Sequence, residues 1–148
     1  MNKNLNASFE QLFPLIQEHI QNGESFTFTA FGNSMYPFLR NGLDRVCLSP
    51  VTLPIRKFDV VFYRRKNGAF VLHRVIRVRG EQLTLCGDNQ LYPEKGISVQ
   101  QVIAILTEYE KNGKIRKPNS PYQLARCHFL AARRILLRIL LRIKRIFS

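Results

Sequence analysis

Hydrophobic side chains recur at steps of three and four near the start of the chain, and at steps of two soon after. Phe9, Leu12, Phe13, Ile16 and Ile20 share one face of a helix predicted over residues 7–22, and Gly23 follows as its stop. Pro14 falls inside that helix and is expected to kink it or delay its start. From Ser25 the period becomes two: Phe26, Phe28 and Ala30 alternate with Ser25, Thr27 and Thr29, the pattern of a half-buried strand. Short strands are predicted at residues 45–49 (RVCLS), 59–65 (DVVFYRR), 69–78 (AFVLHRVIRV) and 82–86 (QLTLC). Asn67-Gly68 predicts a hairpin with a type I′ turn, whose twist matches that of the flanking strands. Residues 87–96 (GDNQLYPEKG) read as turn, residues 99–110 as a further strand, and Asn112-Gly113 as the turn of a last hairpin.

Residues 117–121 (KPNSP) interrupt the pattern before a long C-terminal helix. The expected fold is mainly β: a compact, mostly antiparallel β body with an N-terminal helix and a C-terminal amphipathic helix. The expected division is residues 1–24 for the first helix, 25–117 for the β body and 118–148 for the tail. A chain of 148 residues is long enough for one domain with a real core.

Charge sharpens the picture of the tail. Residues 111–148 hold 11 of the 23 basic residues and none of the 10 acidic ones, so the net charge of +13 belongs largely to this segment. Arg134, Arg138, Arg142 and Arg145 form one stripe; Ile135, Ile139, Ile143 and Ile146 form a second, about 100° around a helix. Leu136, Leu140 and Phe147 widen the apolar side. Such a helix can pack on the body, bind nucleic acid or lie on an anionic membrane surface. The nearly neutral body argues against nucleic acid, and basic residues break the run too often for a span. An anionic membrane surface is the expected partner, with the four arginines as membrane-binding residues. Peripheral attachment follows, with the cytoplasmic face favoured by the basic helix.

Cys47, Cys86 and Cys127 are widely spaced and suggest neither a disulfide framework nor a zinc site. No metal or cofactor is expected. The candidate chemistry lies in FGNSMYPFLRNG (31–42), where Ser34 sits on a segment that must turn. A hydroxyl nucleophile needs a base and usually a third group to orient that base. Of the three histidines, His19 and His128 lie on predicted helices, while His73 interrupts an apolar strand. Gly87-Asp88-Asn89 then ends the next strand with a carboxylate in a turn.

This ordered set resembles the superfamily of type I signal peptidases and self-cleaving repressor peptidases. Ser34-Met35-Tyr36-Pro37 matches its S-M-x-P box, and Gly87-Asp88-Asn89 its GDN box. Residues 59–63 (DVVFY) resemble its D-V-V-x-Y strand. His73-Arg74-Val75-Ile76 is similar to the histidine-base subtype of archaeal and endoplasmic-reticulum signal peptidases. The chain departs from the pattern at Phe58, where glycine is usual, and at Gly42-Leu43-Asp44, which carries an extra residue. The acid of the histidine subtype can lie beyond GDN, so Asp88 and Glu94 compete for it, with Asp88 preferred.

The resemblance implies a serine endopeptidase. Ser34 would attack a peptide carbonyl, His73 would accept its proton and Asp88 would orient the imidazole. The Ser34 N–H would hold the oxyanion with help around Gly32, Asn33 and Met35. The implied partner is an extended leader-type peptide added to the sheet edge, with small residues before the cut. A self-cleaving repressor-type peptidase and a non-catalytic peptide-binding module on the same fold are the alternatives. On the first reading the basic helix stands in for a membrane-spanning anchor.

Overall fold

The computed structural model describes the backbone of residues 3–146 and the side chains of residues 11–146. It contains α1 (Lys3–Gln21), β1 (Phe26–Thr29), β2 (Arg45–Ser49), β3 (Val60–Arg64) and β4 (Phe70–Arg79). There follow β5 (Gln82–Cys86), β6 (Glu94–Ser98), a short 3-10 turn (Val99–Gln101), β7 (Val102–Lys111), β8 (Lys114–Arg116) and α2 (Pro121–Ile146). The eight strands form one antiparallel sheet in the order β1-β2-β7-β3-β4-β5-β6, with β8 on β7. The expected mainly-β architecture with a helix at each end is therefore observed.

Strand β3 separates two cores. Val60 and Phe62 pack with Phe28, Val46, Leu48 and Leu106, a cluster that α1 covers through Ile16, Leu12, Phe13 and Ile20. Val61 and Tyr63 face the other way, among Val75, Leu83, Leu85 and Ile55. The helical and two-residue periods predict these faces, because each element buries the stripe that its geometry aligns. Pro14 lies within α1, which runs unbroken from Lys3. Phe9 and Phe147, read from the sequence as parts of apolar faces, fall outside the described side chains.

Two hairpins with the same Asn-Gly pair fold differently. Asn112 and Gly113 both have positive φ, 53° and 70°, and join the paired Lys111 and Lys114, as a type I′ turn requires. At the β3–β4 turn only Gly68 is left-handed, at +88°. Arg65 N–H bonds Ala69 O at 2.8 Å and Gly68 N–H bonds Arg65 O at 2.9 Å. This connection is a three-residue loop closed by the glycine, not the expected type I′ turn. Strand β6 begins at Glu94, inside the turn that the sequence predicts over residues 87–96; its EKGIS sequence carries two charges and a glycine, poor signals for a strand.

The two departures from the superfamily pattern are absorbed locally. Leu43, the extra residue, is 69% exposed, while Asp44 is fully buried against Arg40. Burial alone would raise the Asp44 carboxyl, but hydrogen bonds from Arg40 outweigh it and lower its pKa. Phe58 keeps the left-handed backbone that glycine would take freely, at φ 78°. Its ring packs edge-on against His128 of α2, with centroids 4.9 Å apart.

Candidate active site

The segment after β1 turns sharply at Gly32, whose φ of +91° is accessible to glycine at little cost. Gly32 N–H is held by Asn41 Oδ1 at 3.0 Å. Met35 and Phe38 plunge into the core, and Leu39 N–H returns to Met35 O at 3.0 Å. Ser34 is thereby held at the rim of a cavity of about 240 Å³. Its walls include Phe28, Ala30, Leu39, Phe70 and Leu72, together with His73 and Arg65. Ser34 and His73, 39 positions apart in sequence, thus line one cavity. They are not hydrogen-bonded to each other; such contacts commonly tighten only when substrate binds.

His73 is 1% exposed on β4, where it pairs across to Val61. Burial pushes its pKa down to about 4, with Arg65 adding to the effect and the Glu94 carboxylate opposing it. The ring is therefore neutral near pH 7 and able to accept a proton. Its Nδ1 faces two groups: Tyr63 Oη at 3.3 Å and Glu94 Oε1 at 3.4 Å. Glu94 is anchored in turn by Arg65, whose Nε donates to Oε2 at 2.9 Å and whose second nitrogen donates to Oε1. Burial alone would raise the Glu94 carboxyl, but hydrogen bonds from Arg65 and Tyr63 hold it below its ordinary value. The Tyr63 hydroxyl is driven up, first by burial and then by the Glu94 charge, and stays protonated.

Asp88 does not occupy the position expected of it. Its two carboxylate oxygens take Arg74 Nε at 2.9 Å and Arg74 Nη2 at 3.0 Å, a buried bidentate pair. Arg74 also donates to Phe58 O and lies over the Phe38 ring. The carboxylate beside the imidazole is Glu94. Asp88 is instead taken up by Arg74, because the strand alternation that points His73 one way points Arg74 the other.

The Gly87-Asp88-Asn89 corner docks directly on the serine segment. Asn89 N–H bonds Ser34 O at 2.8 Å, and its side-chain amide bonds Asn33 O at 3.1 Å. A Cβ on Gly87 would stand 2.4 Å from Ser34 O, so only glycine fits there. Among the described residues, the N–H groups of Asn33, Ser34 and Met35 make no hydrogen bond, while that of Gly32 is engaged. Of the expected oxyanion donors, the Asn33, Ser34 and Met35 amides are the ones left for a substrate.

The other sequence-derived candidates separate cleanly. His19 meets Glu24 at 2.8 Å and His128 meets Phe58; neither lines the cavity. Arg134, assigned from its spacing to a membrane-facing stripe, is 8% exposed and turned inward. Arg138 stacks over Tyr92, with its guanidinium 5.8 Å from the ring centre. Arg142 and Arg145 are exposed. Tyr63, Arg65 and Gln90 join the site although no pattern in the sequence marks them for it; Tyr63 closes the D-V-V-x-Y strand. Cys86 and Cys127 are buried thiols and Cys47 is half-buried; none is in a disulfide.

A model of Peptidase S24-like proteins matches residues 3–109. The chain belongs to the Peptidase S24-like family. That membership supports serine peptidase or self-cleaving chemistry, and its matched span contains Ser34, His73 and Glu94. Helix α2 lies beyond it. A search of the curated proteins finds no match.

Proposed function

We propose that this Peptidase S24-like protein is a serine endopeptidase of the histidine-base type, cleaving extended leader-type peptides at a membrane surface. The observation that carries the reading is the shared cavity: Ser34 at its rim, a neutral His73 in its wall and Glu94 behind the ring. Glu94 and Tyr63 occupy the Nδ1 side, so Nε2 is the nitrogen left to take the Ser34 proton. Ser34 Oγ then attacks the substrate carbonyl, and the amides of Ser34 and Met35 hold the oxyanion. The imidazolium returns its proton to the leaving amine, and a water repeats the sequence to release the acyl group. Glu94 takes the orienting role that the sequence reading gave to Asp88.

One strand edge suits an extended substrate. Strand β4 is joined to β5 only from Arg74 onward, so Phe70–His73 leave an edge beside the cavity. Main-chain bonds along this edge would align the peptide, and the apolar walls favour uncharged side chains before the cut.

The same reading lays the outer face of α2 on an anionic membrane. Tyr122, Phe129, Leu136, Ile139, Ile143 and Ile146 lie on one side of the helix and are 46–76% exposed. The inner side, Gln123, Cys127, Leu130 and Arg134, is buried against the β body. Arg133 and Arg142 remain exposed at the flanks of that side, and each basic residue near anionic lipid contributes about 1 kcal/mol. No helix among the described residues is long and apolar enough to cross a membrane.

The test is cleavage of a pool of leader-type peptides by the purified chain, read by mass spectrometry. Ser34→Ala and His73→Ala are each expected to abolish it while far-UV and near-UV spectra stay unchanged. Undiminished turnover in either variant overturns the mechanism. Release of fragments from the chain itself, with no cleavage in trans, would favour the self-cleaving type instead.

A further inference from the structure

We infer that α2 is also a working part of the catalytic framework, with Arg134 as a positioning residue that holds the 87–90 corner against the nucleophile. The inference rests on the peptidase reading above and goes beyond the family, whose matched residues end before α2. Arg134 Nε donates to Gln90 O at 3.0 Å, and Nη2 donates to Gly87 O at 3.0 Å. One guanidinium therefore grips both ends of a tight turn, itself closed by Gln90 N–H to Gly87 O at 2.9 Å. Arg126, two turns earlier on the same helix, lies 3.6 Å from Asp88 in the middle of that turn.

The opposite side of the turn holds the serine. Asn89 N–H meets Ser34 O at 2.8 Å, and Asn89 Nδ2 meets Asn33 O at 3.1 Å. Only one tight turn separates the Arg134 guanidinium from the nucleophile's own carbonyl. There is no slack between them, because Gly87 approaches Ser34 O too closely to admit even a methyl group. Gln90 also lines the catalytic cavity, so the carbonyl that Arg134 fixes belongs to its wall. A planar guanidinium with divergent donors can span two carbonyls in a fixed geometry; a lysine ammonium or a neutral amide cannot span them in the same way.

The inner and outer faces of α2 thus have separate tasks. The outer face is apolar and open, and the inner face sets the Ser34 backbone. A helix that only covered the core would not need a buried arginine directed at main-chain carbonyls.

The experiment uses the full chain and three variants: Arg134→Gln, Arg134→Lys and Leu130→Ala. Leu130 packs the same inner face but makes no hydrogen bond to the corner, so its truncation reports loosened packing alone. Hydrogen exchange at the Asn89 amide, thermal midpoint, and kcat and KM on a peptide the wild type cleaves are measured for each. Arg134→Gln is expected to speed Asn89 exchange and to lower kcat roughly 10- to 100-fold with KM nearly unchanged. Arg134→Lys should recover part of both losses, and Leu130→Ala should lower the midpoint while leaving kcat within about twofold. Wild-type kcat and Asn89 protection in Arg134→Gln would overturn the proposal. So would an equal fall in kcat for Leu130→Ala at matched loss of stability. A wild-type chain with no turnover would refute the peptidase reading, and Asn89 exchange would then decide by itself whether Arg134 holds the corner.

Discussion

Glu94 Oε1 stands 3.4 Å from His73 Nδ1, on the side of the imidazole that must be fixed for the other nitrogen to act as a base. Asp88 is closed on Arg74 at 2.9 and 3.0 Å. The two carboxylates should therefore fail in opposite ways. Glu94→Gln is expected to lower kcat by up to about 10⁴-fold, the scale of losing the group that orients a catalytic imidazole. Its effect on stability should be small, because the Arg65–Glu94 pair is partly exposed and such pairs contribute about 1 kcal/mol at most. Asp88→Asn strands Arg74, which is 1% exposed, and should cost roughly 3–5 kcal/mol of stability. Denaturant unfolding beside steady-state kinetics distinguishes them; an inactive but fully stable Asp88→Asn would return the acid's role to Asp88.

The pH dependence follows from His73. Burial holds its pKa at about 4, against an ordinary value of 6.5. The unfolded chain takes up this proton first as pH falls, so stability is intact above pH 6.5 and is lost between 6.5 and 4, with no further loss from this group below 4. The loss is on the order of 3 kcal/mol. The acid limb of kcat/KM should likewise lie near pH 4, since the free enzyme's base sets it. Thermal midpoints of wild type and His73→Gln between pH 4 and 7 check the first statement, for the variant should lack this contribution. An acid limb near 6.5 would mean that the ring is hydrated and the site differently built.

Much of this was legible in the residues. Ser34, His73 and the GDN corner were found because each sits in a short ordered motif, and the strand periods placed β1 to β5 within a residue or two. Glu94 was visible only as a rival to Asp88, because its position depends on β6 folding back along β5 with a shifted register that pairs Glu94 with Leu85. With Ile97 as its single apolar side chain, β6 carries too little pattern to fix such a shift. Arg134 was misplaced for a related reason. A stripe of arginines at steps of four looks the same whether one of them is docked or all are solvated, and only the corner it meets decides. The β3–β4 loop went astray because Asn-Gly serves both turn geometries, and the loop length chooses between them.

Gly87 gives a prediction that separates space from backbone preference. It does not adopt positive φ, so alanine is permitted there by conformation. The added Cβ would nonetheless meet Ser34 O at 2.4 Å, a contact with backbone that cannot swing aside. Gly87→Ala should therefore displace the corner or the serine, cost roughly 1–3 kcal/mol as an overpacked contact does, and lower kcat more than KM rises. Wild-type kinetics and stability together in this variant would mean that the two segments are not in contact.

The outer face of α2 supplies the last test. Leu136, Ile139 and Ile143 are 57%, 48% and 46% exposed and point away from the body, so the triple change to serine should leave the thermal midpoint nearly unchanged. If the face lies in the interface of an anionic bilayer, each side chain removes apolar area from water, with about 1.5–3 kcal/mol as the limit for full burial. Even partial burial of three such side chains makes the triple variant bind at least about 100-fold more weakly to phosphatidylserine-containing vesicles. Wild-type binding should fall with added salt, because exposed basic residues are screened at the surface. Arg142→Gln should weaken it by a few-fold, whereas Arg134→Gln should leave it intact, since that side chain is buried on the opposite face. Co-flotation of the full chain and its variants measures all of these. Undiminished flotation of the triple variant would remove the membrane from the picture, and a wild-type chain that dimerises through this face while the variant stays monomeric would replace it with self-association.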